Sequence, residues 1–102
     1  MTNIPDVLKV NNSGYDLLME NDKVRVMQMQ LDPGQTSPMH NHPHDHVVYV
    51  LKDAKFKLSF PDGKSNEFQL NEGKALWLEA GSHKTENIGS TKGHNLVIEI
   101  KE

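Results

Sequence analysis

Turn signals cut this chain into short segments, and their spacing constrains the fold more than any other feature. Helix signals are nearly absent, and glycine- or proline-containing breaks stand at 33–34, 61–63, 71–73, 81 and 89. The segments between breaks place Val, Leu, Ile and Phe among alternating polar residues, at 23–31, 46–51, 55–60, 65–70, 74–80, 83–89 and 94–100. Period-two runs with turn signals about every 8–12 residues predict an all-β sandwich or barrel of about eight strands.

The length and composition limit the size of the core. A chain of 102 residues predicts a single domain, 1–102, with one core. Hydrophobic residues make up 35% of the chain and the mean hydropathy is −0.65, so that core is small. Self-association would bury additional apolar surface, and a homodimer is expected.

The charge pattern and the terminal sequence exclude several classes of function. The net charge is −3 with neutral histidines, and Lys and Arg are scattered, so neither nucleic-acid nor membrane binding is expected. There are no cysteines, which rules out disulfides and thiolate metal sites. The first ten residues, "MTNIPDVLKV", lack a signal-peptide pattern, and no segment reaches the roughly 18 apolar residues of a membrane span, so a cytoplasmic protein is expected.

Four histidines occupy alternate positions in "PMHNHPHDHVVYVL". His40 and His42, two residues apart on a strand, project from one face about 6.6 Å apart and can converge on one ion at ~2.1 Å from each ring nitrogen. A straight strand from His40 to His46 would spread its ends by about 20 Å, too far for one ion. Pro43, with a fixed φ and no N–H, supplies a break, so we expect a turn at 43–45 and an inward His46 on the next strand.

The remaining histidines differ in what their positions predict. His83 follows "EAGS", where a glycine ends one segment and begins another, and it is the fourth candidate ligand. His44 lies at the middle of the expected turn and should point to solvent or line the mouth of the site. His94 is expected to be an ordinary surface or hydrogen-bonded strand residue.

Two longer stretches place these histidines among regularly spaced glycines. The first, "GQTSPMHNHPHDHVVYVLKD", contains Gly34, His40, Asn41, His42, His46 and Asp53. The second, "GKALWLEAGSHKTEN", contains Gly73, Glu79, Gly81, His83 and Asn87. Residues 54–72 separate the two stretches.

The pair of stretches resembles the two motifs of the cupin family, G-x5-H-x-H-x3,4-E-x6-G and G-x5-P-x-G-x2-H-x3-N. The chain departs from them at His46, where cupins usually have Glu, at Asp53, which replaces the closing glycine, and at Glu79, which replaces the proline. One residue rather than two separates Gly81 from His83. The resemblance is greatest to short bacterial cupins that are uncharacterised, some of them named for β-alanine degradation.

The resemblance implies both a fold and a set of metal ligands. The fold would be an all-β double-stranded β-helix, the jelly-roll barrel of cupins, with a core at 23–100 after an N-terminal strand segment at 1–22. The implied ligands are His40, His42, His46 and His83. Nitrogen ligands suit a divalent transition metal, with Fe or Mn favoured and Ni, Cu or Zn as alternatives, and argue against Ca or Mg.

An all-histidine site has consequences for chemistry. Four neutral imidazoles leave a divalent ion with its full charge, which favours anionic or chelating small molecules. Asp45, Glu79 and Glu86 lack a clear inward geometry, so no general base is evident. This favours a dioxygenase-like oxidoreductase over base-driven isomerisation, and the alternative is a cupin that binds a metal or small ligand without turnover.

Strand alternation also suggests what surrounds the ion. The predicted substrate pocket comprises Met39, Val48, Phe60, Trp77 and Asn87, although core packing explains each of them equally well. Val47, Tyr49 and Leu51 would form an outward apolar face that packs on the second sheet or on the partner of a homodimer. Met27 and Met29 are expected in the core or at such a contact.

Overall fold

The computed structural model describes residues 3–101, and these form nine strands and one short 3-10 helix. The helix is Val7–Lys9, and Asp6 caps it by accepting a hydrogen bond from the Leu8 N–H at 3.0 Å. The strands are β1 (Tyr15–Glu20), β2 (Val24–Leu31), β3 (Thr36–His42), β4 (His46–Val50), β5 (Ala54–Ser59), β6 (Ser65–Leu70), β7 (Ala75–Leu78), β8 (Gly81–Asn87) and β9 (Gly93–Ile100). The prediction of an all-β protein is confirmed.

Two antiparallel sheets share the strands. One has five strands in the order β1-β2-β9-β4-β7, and the other has four in the order β3-β8-β5-β6. Consecutive strands therefore often lie in different sheets, as β3 and β4 do. A cluster of buried apolar side chains fills the space between the sheets, and its largest members are Met27, Met29, Leu31, Phe56 and Leu70. Met27 and Met29 are thus core residues.

The inward face of β2 and β9 combines apolar and polar side chains. On β2 the buried residues are Arg25, Met27, Met29 and Leu31, and on β9 they are Gly93, Asn95, Val97 and Glu99. The register pairs Arg25 with Glu99 and Met29 with Asn95. The core is therefore apolar in its middle and carries polar groups toward the ends of these strands.

The outward face of the five-stranded sheet is also rich in apolar side chains. Val47 and Leu51 are partly buried, and Tyr49 is exposed to 39%. Trp77 on the edge strand β7 pairs with Val47 and is exposed to 56%. Residues 3–101 contain no helix that is long and apolar enough to cross a membrane.

Candidate metal centre

A bulge in β3 brings His40 to the interior. Pro38 has no N–H for the ladder, and the pairing of β3 with β8 shifts register between Ser37 and His40. Ser37 and His40, three residues apart, are consequently both fully buried, although strict alternation would place them on opposite faces. His42 follows two residues later on the same face and is 1% exposed.

The strand pattern breaks between His42 and His46, as Pro43 predicts. β3 ends at His42 and β4, in the other sheet, begins at His46, and the connection bends at His44, within the expected turn at 43–45. Asp45 holds this turn in place: its Oδ1 accepts a hydrogen bond from the Ala80 N–H at 2.7 Å. His46 is 1% exposed, whereas His44 is partly exposed within the turn.

His83 enters the site from β8. Despite the shortened spacing after Gly81, the register places His83 directly opposite His40, and Gly81 opposite His42. Directly paired residues of antiparallel strands project to the same face, so His83 joins the first two histidines inside the barrel. Its ring also lies edge-on to that of Phe60, with the centroids 6.4 Å apart.

The four predicted ligands meet in one buried cluster. His40, His42 and His83 each offer a ring nitrogen, and these three atoms lie within 4.8 Å of one another. His46 stacks on His42 with a centroid separation of 4.5 Å and is not part of that three-nitrogen group. His94 lies elsewhere and contacts Gln28 through Nε2 at 3.2 Å.

Hydrogen bonds to Nδ1 determine which ring nitrogen of His40, His42 and His46 remains available to bind a metal. His40 Nδ1 lies 2.7 Å from the Pro38 carbonyl, His42 Nδ1 2.8 Å from the Glu99 carboxylate, and His46 Nδ1 3.0 Å from the His44 carbonyl. Since these oxygens accept only, each Nδ1 carries a proton and donates it, so in the neutral ring the lone pair lies on Nε2. Of the side chains at 3–101, none hydrogen-bonds to the buried Nε2 atoms of His40 and His42. Unpaired imidazole nitrogens that converge in this way fit a transition metal.

A chain of buried charges supports His42 from behind. Glu99 is fully buried and accepts from His42 through one oxygen and from Arg25 through the other, with Arg25 Nε at 3.0 Å. Arg25 donates in turn to both oxygens of Asp6, at 2.9 and 3.0 Å. A carboxylate behind a metal-binding histidine fixes its tautomer and ring orientation.

The electrostatics of the cluster keep three of its imidazoles neutral. Burial, together with the neighbouring histidines, lowers the pKa of His40 to about 4 and that of His83 to about 2. Burial likewise lowers the pKa of His46. Metal ligation requires the neutral imidazole, so these environments hold the rings in the binding form.

The supporting carboxylates are held ionised. Burial disfavours the Glu99 carboxylate, but hydrogen bonds from His42 and Arg25 outweigh it and hold its pKa below the usual value. The pKa of Asp6 is lowered in the same way, chiefly by hydrogen bonds from Arg25 and Leu8 acting against burial. Both carboxylates therefore act as fixed acceptors at neutral pH.

The neutral histidines predict that the metal-free protein loses stability in mild acid. Histidines of the unfolded chain bind protons below a pKa of about 6.5, whereas His40 and His83 in the folded chain do so only far lower. Stability is therefore fully present above pH 6.5 and falls as the pH drops toward 4. We expect a loss of about 1 kcal/mol for each of these two histidines at a pH of about 5.5, measured by urea unfolding of the metal-free protein.

A variant isolates the contribution of one ring. His83→Gln removes one titrating group, so its stability should fall less steeply between pH 7 and a pH of about 5.5 than that of the wild type. Equal slopes for the two proteins would show that His83 is not kept neutral by the fold.

The cluster opens onto a cavity inside the barrel. The cavity measures about 40 Å³ and has nine apolar lining side chains, Met29, Val48, Phe56, Leu58, Phe68, Leu70, Leu76, Leu78 and Val97. Its polar lining residues are Tyr15, His46, His83, Thr85 and Asn95. Two predicted ligands thus lie in the wall of a mostly apolar chamber, which is the usual character of a small-molecule site.

The five predicted pocket residues are distributed differently. Val48 lines the cavity, whereas Met39, Phe60, Trp77 and Asn87 are not among its lining residues. Phe60 flanks His83, and Trp77 lies on the outer face of β7. The amide of Asn87 donates to the carbonyls of Leu31 and Thr91 and accepts from the Gly89 N–H, so it organises backbone.

Several residues of the site were not predicted from the sequence. Tyr15 lies edge-on to His40 and His42, with centroids at 5.4 and 5.5 Å, and burial followed by the charge of Glu99 raises its phenol pKa. Arg25 and Glu99 form the support of His42. The sequence did contain a signal for this ion pair. Arg25 and Glu99 are each a single charged residue within an otherwise alternating strand, and their charges have opposite signs.

Comparisons with known proteins show what the chain is similar to. No protein-family model matches the chain. The chain is 30% identical over 80 residues to the beta-alanine degradation protein BauB of Pseudomonas aeruginosa. The aligned residues make up 78% of this chain and 81% of that protein.

Solved structures share the fold along all or most of the chain. A cupin domain from Bordetella pertussis superposes with a TM-score of 0.80 at 25% identity, covering 100% of both chains. An RmlC-like cupin with a double-stranded β-helix fold from Methanocaldococcus jannaschii gives a TM-score of 0.69 at 16% identity, over 89% of this chain and 84% of that one. The chain is therefore a small cupin with the double-stranded β-helix fold, in the same family as BauB.

Proposed function

We propose that this cupin binds one divalent transition metal through His40, His42, His83 and His46 and acts as a dioxygenase-like oxidoreductase on a small anionic or chelating molecule. The observation that carries the metal assignment is the pair of buried, unpaired Nε2 atoms on His40 and His42, next to a His83 nitrogen. Buried polar atoms without partners are costly, and a metal ion would satisfy both.

The donor set favours certain ions. Four neutral imidazoles without a thiolate suit Fe or Mn, with Ni, Cu or Zn as alternatives. When bound, such an ion supplies Lewis-acid chemistry and, for Fe or Mn, one-electron redox chemistry. His40, His42 and His83 provide the core of the site, and His46, adjacent to His42, is the fourth ligand in this proposal.

The carboxylates near the site orient other groups and are not available to transfer protons. Glu99 is engaged on both oxygens and Asp45 is committed to the turn, so neither is available as a base. No carboxylate lines the cavity among residues 3–101. A substrate that enters already ionised, such as a carboxylate or an enolate, therefore fits the site better than one that must first lose a proton to the protein.

The substrate class follows from charge and size. Neutral imidazoles leave the full positive charge of the ion facing the cavity, which favours an anionic group there. The cavity of about 40 Å³ limits the molecule to a few heavy atoms beyond that group. BauB carries the name of a beta-alanine degradation protein, and small carboxylates of that kind are accordingly proposed.

Oxygen consumption tests the proposed activity. Untagged protein loaded with Fe(II) is mixed with a β-diketone, a catechol and short carboxylates, and dissolved oxygen is followed. A dioxygenase would incorporate both atoms of labelled O2 into its product without an added reductant. If the protein binds the metal and these ligands but consumes no oxygen with any of them, the non-catalytic binding function is the correct one.

We also propose that the protein is a homodimer that pairs through the outer face of the five-stranded sheet. One row of apolar side chains crosses all five strands in register, through Met19, Val26, Ile98, Val47 and Trp77. Met19 and Trp77, at the two ends, are exposed to 48% and 56%. A contiguous apolar row on a small domain is typical of a surface that a second copy covers.

A further inference from the structure

Asn95 has a buried amide oxygen that no group of residues 3–101 satisfies. It lies on β9, is 2% exposed, and its Oδ1 has no hydrogen-bond partner among the described residues. A buried acceptor without a partner destabilises the folded protein. Asn87, the other buried side-chain amide among the described residues, is satisfied by three hydrogen bonds. Asn95 is therefore an exception that needs a partner from outside the chain.

The position of Asn95 shows where that partner would lie. Asn95 pairs with Met29 and Val50, which are both buried, and its side chain lines the same cavity as His46 and His83. On β9 it stands four residues before Glu99, which pairs with His46. Four residues of strand span about 13 Å, so the amide lies well along the cavity from the histidine cluster.

The wall between the two polar ends is apolar. Val97 and Val48, which pair with each other, occupy the intermediate position on β9 and β4, and Met29 lies beside Asn95. A ligand that reaches from the histidines to Asn95 would pass along these side chains. The cavity thus offers an anion-binding end, an apolar middle and an unpaired hydrogen-bond acceptor.

We infer that Asn95 determines specificity, by accepting a hydrogen bond from a hydroxyl or N–H group at the end of the ligand remote from the histidine cluster. This inference rests on the proposed function, because it takes the anionic end of the ligand to lie at the metal. The ligand class is then a short aliphatic carboxylate with a terminal donor. A plain alkanoate of equal length would leave the amide oxygen of Asn95 buried and unpaired.

Matched pairs of ligands test this on the Zn(II)-loaded protein, in which no redox turnover takes place. The probes are plain alkanoates and ω-hydroxyalkanoates of about three to six carbons, a range set by the strand distance, with binding measured by calorimetry. At the length that fits, we expect the hydroxy acid to bind about tenfold more tightly than the plain acid or better. The Asn95→Leu variant should lose this preference.

The stability of the same variant gives an independent readout. Asn95→Leu replaces an unpaired amide with an apolar group of similar size in an apolar wall, so it should raise the Tm by roughly 5 °C in the absence of ligand. Asn66→Leu, on an exposed position of β6, is the matched control and should change neither the preference nor the Tm appreciably. Asn95→Ala removes the amide without adding volume, and it should also bind both members of a pair equally.

The outcomes separate this inference from the proposed function. Metal content is measured on the same preparation, and a protein that takes up no metal would overturn both. A metal-loaded protein that binds carboxylates but shows no preference for the hydroxy acid at any length would overturn the role of Asn95 alone. A preference that persists in Asn95→Ala would overturn it as well, because another group would then be the acceptor.

Discussion

Replacing His42 with alanine should abolish stoichiometric metal binding. Untagged wild-type protein, incubated with Fe(II) or Mn(II) and desalted, is expected to retain about one ion per chain by elemental analysis. His42 contributes an unpaired Nε2 at the centre of the cluster, with His40, His46 and His83 all around its ring. Its loss should weaken affinity by more than about 100-fold, because removal of an outer partner alone costs roughly 10–100-fold.

The other variants should weaken metal binding to different degrees. His40→Ala and His83→Ala remove the remaining members of the three-nitrogen group and should be as severe as His42→Ala. Glu99→Gln keeps the ligand but weakens its support, so a loss of about 10–100-fold is expected. His46→Ala tests the fourth ligand and should weaken binding less than the loss of any of the other three, because its ring lies outside that group.

His94→Ala is the matched control for these substitutions. His94 contacts Gln28 and lies outside the cluster, so its removal should leave the metal content unchanged. If the wild type retains less than about a tenth of an ion per chain with every metal tried, the proposed metal site is wrong. If His42→Ala retains the metal as well as His94→Ala does, the ion is bound elsewhere.

The histidine cluster could be predicted in large part from the sequence, because short-range features specify it. The i, i+2 spacing of His40 and His42 and the position of Pro43 are short-range features, and the structure places the turn where they predict it. The glycine break before His83 made it a candidate, and the cupin resemblance supported its grouping with the other histidines, although β8 pairs with β3 across some forty residues of chain. The shortened spacing after Gly81 does not displace it, because strand register, not loop length, sets its position.

Strand alternation did not predict the Arg25–Glu99 support behind the cluster, because β2 and β9 carry apolar residues on both faces. In β9 the residues Leu96, Ile98 and Ile100 form a continuous apolar set, yet the opposite face, with Val97 and Glu99, is the buried one. β2 has the same ambiguity, with Val24 and Val26 on one face and Met27 and Met29 on the other. Period-two alternation alone cannot decide between two apolar faces, and it therefore missed the inward Arg25 and Glu99.

Replacing Arg25 with methionine should cause a large loss of folding stability. Glu99 is fully buried, and Arg25 is paired with it at 2.8 Å, while Asp6 binds the outer side of the guanidinium. Methionine retains much of the side-chain volume but leaves the Glu99 carboxylate without its cation. Breaking a buried pair in this way costs about 3–5 kcal/mol, which urea unfolding of the metal-free protein at neutral pH would measure.

Two further variants test whether that loss of stability comes from the buried, unpaired carboxylate of Glu99. Lys55→Met removes the cation of the Lys55–Glu67 pair, whose atoms are 3.7 Å apart and whose side chains are about half exposed; it should cost no more than about 1 kcal/mol. Adding Glu99→Gln to Arg25→Met removes the stranded carboxylate and should restore part of the stability. A loss for Arg25→Met no greater than for Lys55→Met would mean that Glu99 tolerates burial without its cation. In that case His42 alone would hold the carboxylate, and the support of the metal centre would end at Glu99 and not extend through Arg25 to Asp6.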